Sequence, residues 1–211
     1  MRIIEPKAEI ITPIDGPAIL KHLEKVGRVC YKSEDRTTDD SAEAFVAGIV
    51  RRGHEAVIEH FSITVKFTTD RGISHEIVRH RIASYAQEST RYCNYAKDKF
   101  SSEISVIRPV DIVPGTKEYE DWKKAMEAAE QYYFALIEDG CKAQTARSVL
   151  PTCTKTEIMV TMNMREWRHF LRLRTDPAAH PDIRVLALDL LNQFRKQIPV
   201  LFDDIAVEQN A

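Results

Sequence analysis

Residues 70–95 read DRGISHEIVRHRIASYAQESTRYCNY, and the reading of the chain turns on them. Asp70 suits a helix N-cap, and the dozen residues after it contain no proline. Successive helical residues rotate by about 100°. On that wheel Ile73 and Ile77 share a face with His80 beside them, and Val78 and Ile82 make a second apolar side. Arg79, His80 and Arg81 would then point three ways, which suits ligands on two flanks of one helix or an interface approached from both sides. After Ala83 the alternating Tyr and Ser residues read as a polar loop. Guanidiniums beside hydroxyls and amides suit phosphate, because arginine offers a planar donor fork matched to its oxygens. The plainer reading is a solvated basic helix with a polar loop behind it. The apolar positions around the charged triplet weigh against that.

The rest of the composition sets limits. The chain has 211 residues, 44% hydrophobic and 29% charged, with a formal net charge of −2. That is enough for one domain with a real core, 1–211. The charge balance argues against a general nucleic-acid or membrane-surface binder, so any anion site is local. MRIIEPKAEII is not a signal peptide, and no apolar run reaches transmembrane length. Cys30, Cys93, Cys141 and Cys153 are scattered without a CxxC pair. Zinc-ribbon and thioredoxin-type sites are therefore not indicated, and a reduced cytoplasm is the simplest compartment.

The periodicities predict strands at Ala8–Pro13, Phe61–Phe67, Ile104–Val106 and Lys155–Met162. They predict helices at Gly16–Tyr31, Ser41–Arg52, Thr116–Gly140, Lys142–Leu150, Met164–Arg174 and Asp182–Gln197, with Gly53 ending the second. This is an α+β chain in which helices outnumber strands. It has no repeat, low-complexity segment or linker.

Several residues invite chemistry. His54 and His60 in GHEAVIEH are six apart, about 240° around a helix, whereas a zinc helix needs i and i+4. A structural segment leading into the Phe61 strand is the simpler reading, and no metal is assigned. Cys153 is followed by Thr154, with nothing in sequence to activate a thiolate, and reads as an inert thiol. Ser89 as a nucleophile would need a base and an orienting group, and no Gly-x-Ser-x-Gly elbow surrounds it. In Met164–Arg174, Arg165, His169 and Arg172 form a basic stripe, while Trp167, Phe170 and Leu171 form an apolar one that Arg174 closes. A guanidinium there either meets an anionic or carbonyl partner or caps the helix C-terminus.

The string RHRIASYAQESTRY, with Arg79-His80-Arg81, then Ser89 and Arg91, resembles the signature of the flavin-dependent thymidylate synthases. The resemblance continues in GHEAVIEH at 53–60, ARSVLP at 146–151 and the run from Met162 to Arg174, covering about residue 50 to residue 200. It implies a helix-rich α+β domain with a central antiparallel or mixed sheet flanked by helices. It implies reductive methylation of dUMP to dTMP, with methylenetetrahydrofolate as carbon donor and NADPH as reductant through FAD. It also implies a homotetramer whose active sites are shared between subunits.

Carried over residue by residue, the resemblance places the nucleotide against Glu76, Ile77, Val78, Arg79, Gln87, Glu88, Ser89, Thr90, Arg91, Arg147 and Arg174. Arg174 would contact the pyrimidine and help ionise it. The flavin would meet Ala56, Arg79, His80, Arg81, Gln87, Asn163, Met164, Arg165 and His169. Three positions depart from the pattern. Glu76 stands where glutamine is usual, Ala56 where a hydroxyl residue is common, and Gln87 where glutamate is common, with Glu88 beside it. The residues alone reach only an anion-binding α+β enzyme, since no Gly-rich dinucleotide fingerprint is present. A nucleotide- or RNA-binding module without catalysis and a hydrolase using Ser89 stay open on that ground.

Overall fold

A computed structural model describes residues 1–92, 95 and 103–207. Cys93 and Asn94 therefore lie outside the described residues. The helices begin where the capping chemistry dictates. Helix α1 (Gly16–Tyr31) starts after Asp15, whose Oδ1 accepts from Ala18 N–H at 3.0 Å, with proline in the first turn. Helix α2 (Ser41–Arg51) stops short of Gly53, which sits at φ +69°, a conformation glycine adopts without strain. Residues 34–36 and 55–60 form short 3₁₀ turns.

Strands β1 (Arg2–Ile4), β2 (Lys7–Ile10), β3 (Ser62–Asp70), β4 (Ser84–Gln87), β5 (Ser105–Ile107) and β6 (Lys155–Asn163) form two sheets. β1 pairs parallel with β5, and the other sheet has the order β2-β3-β6-β4. β3 and β6 alternate buried and half-exposed residues, as their hydrophobic patterns predict: Ile63, Val65 and Phe67 on one, Ile158, Val160 and Met162 on the other.

The remaining helices are α3 (Arg71–Ile77), α4 (Lys117–Glu138), α5 (Ala143–Ala146), α6 (Met164–Arg174), α7 (Pro181–Gln197) and α8 (Pro199–Phe202). With α1 and α2 they give the helix-rich α+β architecture that the sequence predicts. β1 is an addition, because three residues are too few to show a period.

The central stretch is where expectation and structure part. Asp70 does cap α3, its Oδ1 accepting from Ile73 N–H at 2.7 Å. However, α3 ends at Ile77, and Arg79, His80 and Arg81 lie beyond it, in the connection to β4. The three residues do not radiate from one helix. Ser84–Gln87, expected as loop, is strand β4. The reason is local: once His80 turns inward to burial, the helical wheel no longer governs, and Ser84–Gln87 joins β6 at the sheet edge.

The chain divides into two compact units. One comprises residues 1–7, 67–79 and 86–158, and the other 8–66, 80–85 and 159–211. The first centres on Tyr95, Ile104, Val106, Met126, Tyr133 and Ala146. The second has an aromatic core in which Trp167 meets Phe170 and Phe194, and Phe194 stacks on Phe202 with ring centroids 4.5 Å apart.

Candidate active site

Most positions expected to meet the nucleotide lie in the first unit, which holds residues 76–79, 87–91 and Arg147. Gln87 points its amide inward, donating to Ser74 Oγ at 2.9 Å and Thr156 Oγ1 at 3.2 Å. Glu88 is clamped by Lys155 at 3.0 Å. Ser89 Oγ accepts from Arg91 N–H at 3.3 Å, bending the chain so that the Arg91 side chain is exposed over the Tyr92 ring. Arg147 reaches the same turn, its Nη1 donating to Thr90 Oγ1 at 3.3 Å. Arg91 stands on the turn that presents Ser89 and Arg147 reaches that turn from the end of α5, so two exposed arginines meet one short segment. Ile77 is fully buried, so a ligand contact at that position falls to its main chain.

The second unit holds Ala56, His80, Arg81, Asn163, Met164, Arg165, His169 and Arg174. Asn163 caps α6, its Oδ1 accepting from Glu166 N–H at 2.9 Å. The predicted faces of α6 appear as expected: Trp167, Phe170 and Leu171 are fully buried, and Arg165, His169 and Arg172 are exposed. Met164 is fully buried as well, which limits it to main-chain contact. A cleft of about 390 Å³ is lined by Asn163 at the end of β6, by Arg165, Glu166, His169 and Arg172 from α6, by Glu55 and Glu59 from the 3₁₀ turn, and by Ile82. Ala56 sits exposed on that turn. A wider cleft of about 730 Å³ beside α1 contains none of the predicted positions, and its lysines and arginine face as many carboxylates.

Two residues on α6 escaped the sequence reading. Arg168 has no exposed side-chain surface, and it forks onto Asp204 at 2.7 and 2.6 Å while its Nε reaches Glu55 at 3.1 Å. Glu166 is 8% exposed and faces His80. The signal for both was weak: charged residues one position from the apolar stripe, legible only once their partners are known.

His80 is 5% exposed and packs against Phe170, with ring centroids 4.8 Å apart. Tyr85 Oη donates to its carbonyl oxygen, and burial, with Glu166 nearby, pushes that phenol up to about 12. Arg174 Nε donates to His80 Nε2 at 3.1 Å, and His80 Nδ1 lies 3.5 Å from Glu166 Oε1. Burial, then the charges of Arg174 and His169, lower the imidazole to about 4, so it is neutral at pH 7. Arg174 Nε is thus turned to His80, and the C-terminal end of α6 has other partners. That end is satisfied by Thr175, whose Oγ1 donates to Leu171 O at 2.8 Å, and by Arg184, which donates to Thr175 O at 3.0 Å.

His80, Glu166 and His169 bring three metal-capable atoms within 4.8 Å of one another, but the guanidinium already facing His80 disfavours a further cation there. His54 and His60 do not converge. Tyr31 Oη meets His54 Nδ1 at 2.7 Å, and His22 meets the His60 carbonyl at 3.1 Å. Cys153 is partly buried against Met126, its Sγ 3.0 Å from the Met126 Sδ, and burial raises its thiol, against a thiolate role. Ser89 lacks a base in His80, whose two ring nitrogens face Arg174 and Glu166.

The donor set fits a flavin dinucleotide. Exposed Arg79 and Arg81 make no side-chain hydrogen bond or ion pair among the described residues, which leaves them available to phosphates. Ile82, 68% exposed at the cleft, offers apolar surface to a flat ring.

Fold and donors together define a helix-rich α+β protein equipped for anionic nucleotides. The family described as thymidylate synthase complementing protein matches residues 17–200. Flavin-dependent thymidylate synthase from Geobacter sulfurreducens is 37% identical over 184 residues, covering 84% of this chain and 78% of that one. The enzyme of that name from Pyrococcus furiosus is 36% identical, covering 81% and 70%. The UMP/dUMP methylase PolB from Streptomyces cacaoi, solved with 5-Br dUMP, shares the fold with a TM-score of 0.78 over 96% of both chains at 23% identity. The chain belongs to the family of flavin-dependent thymidylate synthases.

Proposed function

We propose that the protein methylates dUMP reductively to dTMP, as an FAD-dependent methyltransferase of nucleotide biosynthesis. Membership of the family carries this reading, and the arginine distribution of the two units supports it. In the finer reading, NADPH is the reductant, methylenetetrahydrofolate the carbon donor, and a homotetramer the assembly, with residues 1–211 acting as one catalytic domain in the cytoplasm. No helix among the described residues is long and apolar enough to cross a membrane.

The chain's own residues have definable tasks. Ser89, Arg91 and Arg147 bind the nucleotide phosphate through one hydroxyl and two guanidiniums. Arg79 and Arg81, with Asn163, Arg165 and His169, hold the flavin. Reduced flavin supplies hydride equivalents when bound. Carbon 5 of uracil becomes nucleophilic only as negative charge builds on a ring carbonyl. A fixed guanidinium stabilises that charge in a dry site better than water does, and Arg174 is the one assigned. No enzyme thiol attacks the ring, in keeping with the raised thiol of Cys153.

The test uses purified protein. It should be yellow with a flavin absorbance band, oxidise NADPH faster when dUMP is added, and form dTMP once methylenetetrahydrofolate is present. A colourless protein that binds nucleotide without turnover would establish the non-catalytic reading instead. Equal NADPH oxidation with dUMP, dTMP and no nucleotide would remove the shared site.

A further inference from the structure

We propose that His80, backed by Glu166, is a positioning residue that fixes the Arg174 guanidinium for catalysis. The inference rests on the role given to Arg174 above. Its geometry stands on its own.

Arginine has no acceptor atom, so the Arg174 Nε–H can only donate, and His80 Nε2 at 3.1 Å must be the bare nitrogen of a neutral ring. The proton then sits on Nδ1, which faces Glu166 Oε1 at 3.5 Å. A carboxylate opposite Nδ1 selects that tautomer and makes Nε2 the better acceptor. The ring cannot drift. Phe170 packs against it and His169 meets it edge-on at 5.8 Å. The main chain beneath it is held by Tyr85, whose hydroxyl donates to the His80 carbonyl. Glu166 is fixed in turn, because its own N–H is held by the Asn163 cap.

The line Glu166–His80–Arg174 thus leaves the guanidinium anchored through Nε. The fork of Nη atoms is the part of arginine suited to a carbonyl or carboxylate. Glu166 and Arg174 lie eight residues apart on α6, more than two turns, too far for direct contact along the helix. His80 spans that gap from a different part of the chain. An exposed cofactor-contacting imidazole would look different: it would keep a nitrogen on the surface, whereas this ring is 5% exposed and engaged on both sides.

The experiment is a double-mutant cycle on the holoenzyme with dUMP, NADPH and methylenetetrahydrofolate. It compares wild type, H80Q, H80A, R174A and H80A/R174A, with flavin content and melting temperature recorded for each. At saturating dUMP, H80A should lose about ten- to a hundred-fold in kcat, the worth of one hydrogen bond to a charged group. H80Q, whose amide oxygen can occupy the acceptor position, should recover much of that. H80A should add nothing to R174A, because its only catalytic effect runs through that side chain. Losses that multiply in the double variant, or an H80A enzyme with wild-type kcat, would overturn the proposal. Wild-type turnover by R174A would instead refute the role of Arg174.

Imidazole ¹⁵N chemical shifts of the wild-type protein decide the matter should H80A fail to fold. A bare Nε2 and protonated Nδ1 are expected at pH 7, and the reverse tautomer would overturn the proposal. The same shifts in Glu166→Gln should show the tautomer preference weakened.

Discussion

Replacing Arg168 with alanine should destabilise the protein by about 3 kcal/mol, as follows from the groups that the guanidinium holds. It has no exposed side-chain surface, yet it forks onto Asp204, reaches Glu55 and donates to the Leu201 carbonyl. Breaking a buried ion pair costs about 3–5 kcal/mol when the surviving charge is stranded. Here stranding is partial. The Asp204 side chain is 47% exposed and can hydrate, and Glu55 keeps Arg172 at 3.1 Å. Burial works against the Asp204 carboxylate, but its bonds to Arg168 hold the carboxyl below its ordinary range. What cannot recover is the Leu201 carbonyl and the volume of the lost side chain, which places the cost near the lower bound. For a chain of this length each kcal/mol moves the melting temperature by about 2–4 °C, so R168A should melt about 6–12 °C lower. R168M fills much of the cavity and should cost less. Differential scanning calorimetry of the flavin-free proteins measures both. An R168A melting point within about 2 °C of wild type, less than 1 kcal/mol on that conversion, would refute the argument that this buried guanidinium ties α8 to α6.

Other outcomes follow from the site. Cys153→Ser should keep dTMP formation near wild type, since its thiol is raised by burial and not poised as a thiolate; loss of product with flavin retained would revive a cysteine mechanism. Ser89→Ala should weaken dUMP binding by about 1.5–3 kcal/mol with chemistry preserved at saturation, and inactivity at saturating dUMP would point to a nucleophilic serine. Stability should fall on acidification between pH 6.5 and 4. In that window the unfolded chain takes up a proton on His80 that the folded ring, lowered to about 4, refuses. The slope from this one group is at most about 1.4 kcal/mol per pH unit. Urea unfolding at pH 7 and pH 5 should show a smaller loss in His80→Gln than in wild type, and equal losses would mean that His80 is not neutral in the fold.

Periodicity made most of the elements readable from sequence. Trp167, Phe170 and Leu171 fall at helical spacing, and α6 runs from Met164 to Arg174 as predicted; the alternation of Ile63, Val65 and Phe67 likewise became β3. Where periodicity failed, burial of a polar residue had overridden it. His80 looks like the next position on the α3 wheel, but the chain leaves the helix at Ile77 and carries the imidazole into a buried place beside Phe170, between Glu166 and Arg174. Nothing in RHR reports that, because the compensating partners, Glu166 and Arg174, lie far along the sequence. Arg168 was hidden in the same way: a wheel places it next to the apolar stripe but cannot show that Asp204 waits there.

The arginines sort by partner, and that sorting limits what each can bind. A guanidinium already neutralised by a carboxylate must give up that pair before it can take a phosphate, so its net gain is small. Arg168 is wholly committed, and Arg165 and Arg172 are tied to Glu59 and Glu55 at 2.6 and 3.1 Å. The Arg165–Glu59 pair is exposed on both sides, where such bridges are worth about 0–1 kcal/mol, so its exchange for a phosphate is cheap. Among the described residues Arg79 and Arg81 have no pair to break, and the Arg91 side chain meets only the face of Tyr92. Arg174 is a fourth kind: at Nε it donates to a neutral partner, His80, which directs the guanidinium and itself brings no opposing charge. In the role proposed for Arg174, stabilising charge on the reacting ring, direction from an uncharged neighbour is the useful arrangement. A carboxylate in the place of His80 would hold the guanidinium as firmly but would offset its charge, whereas a neutral imidazole adds no such offset.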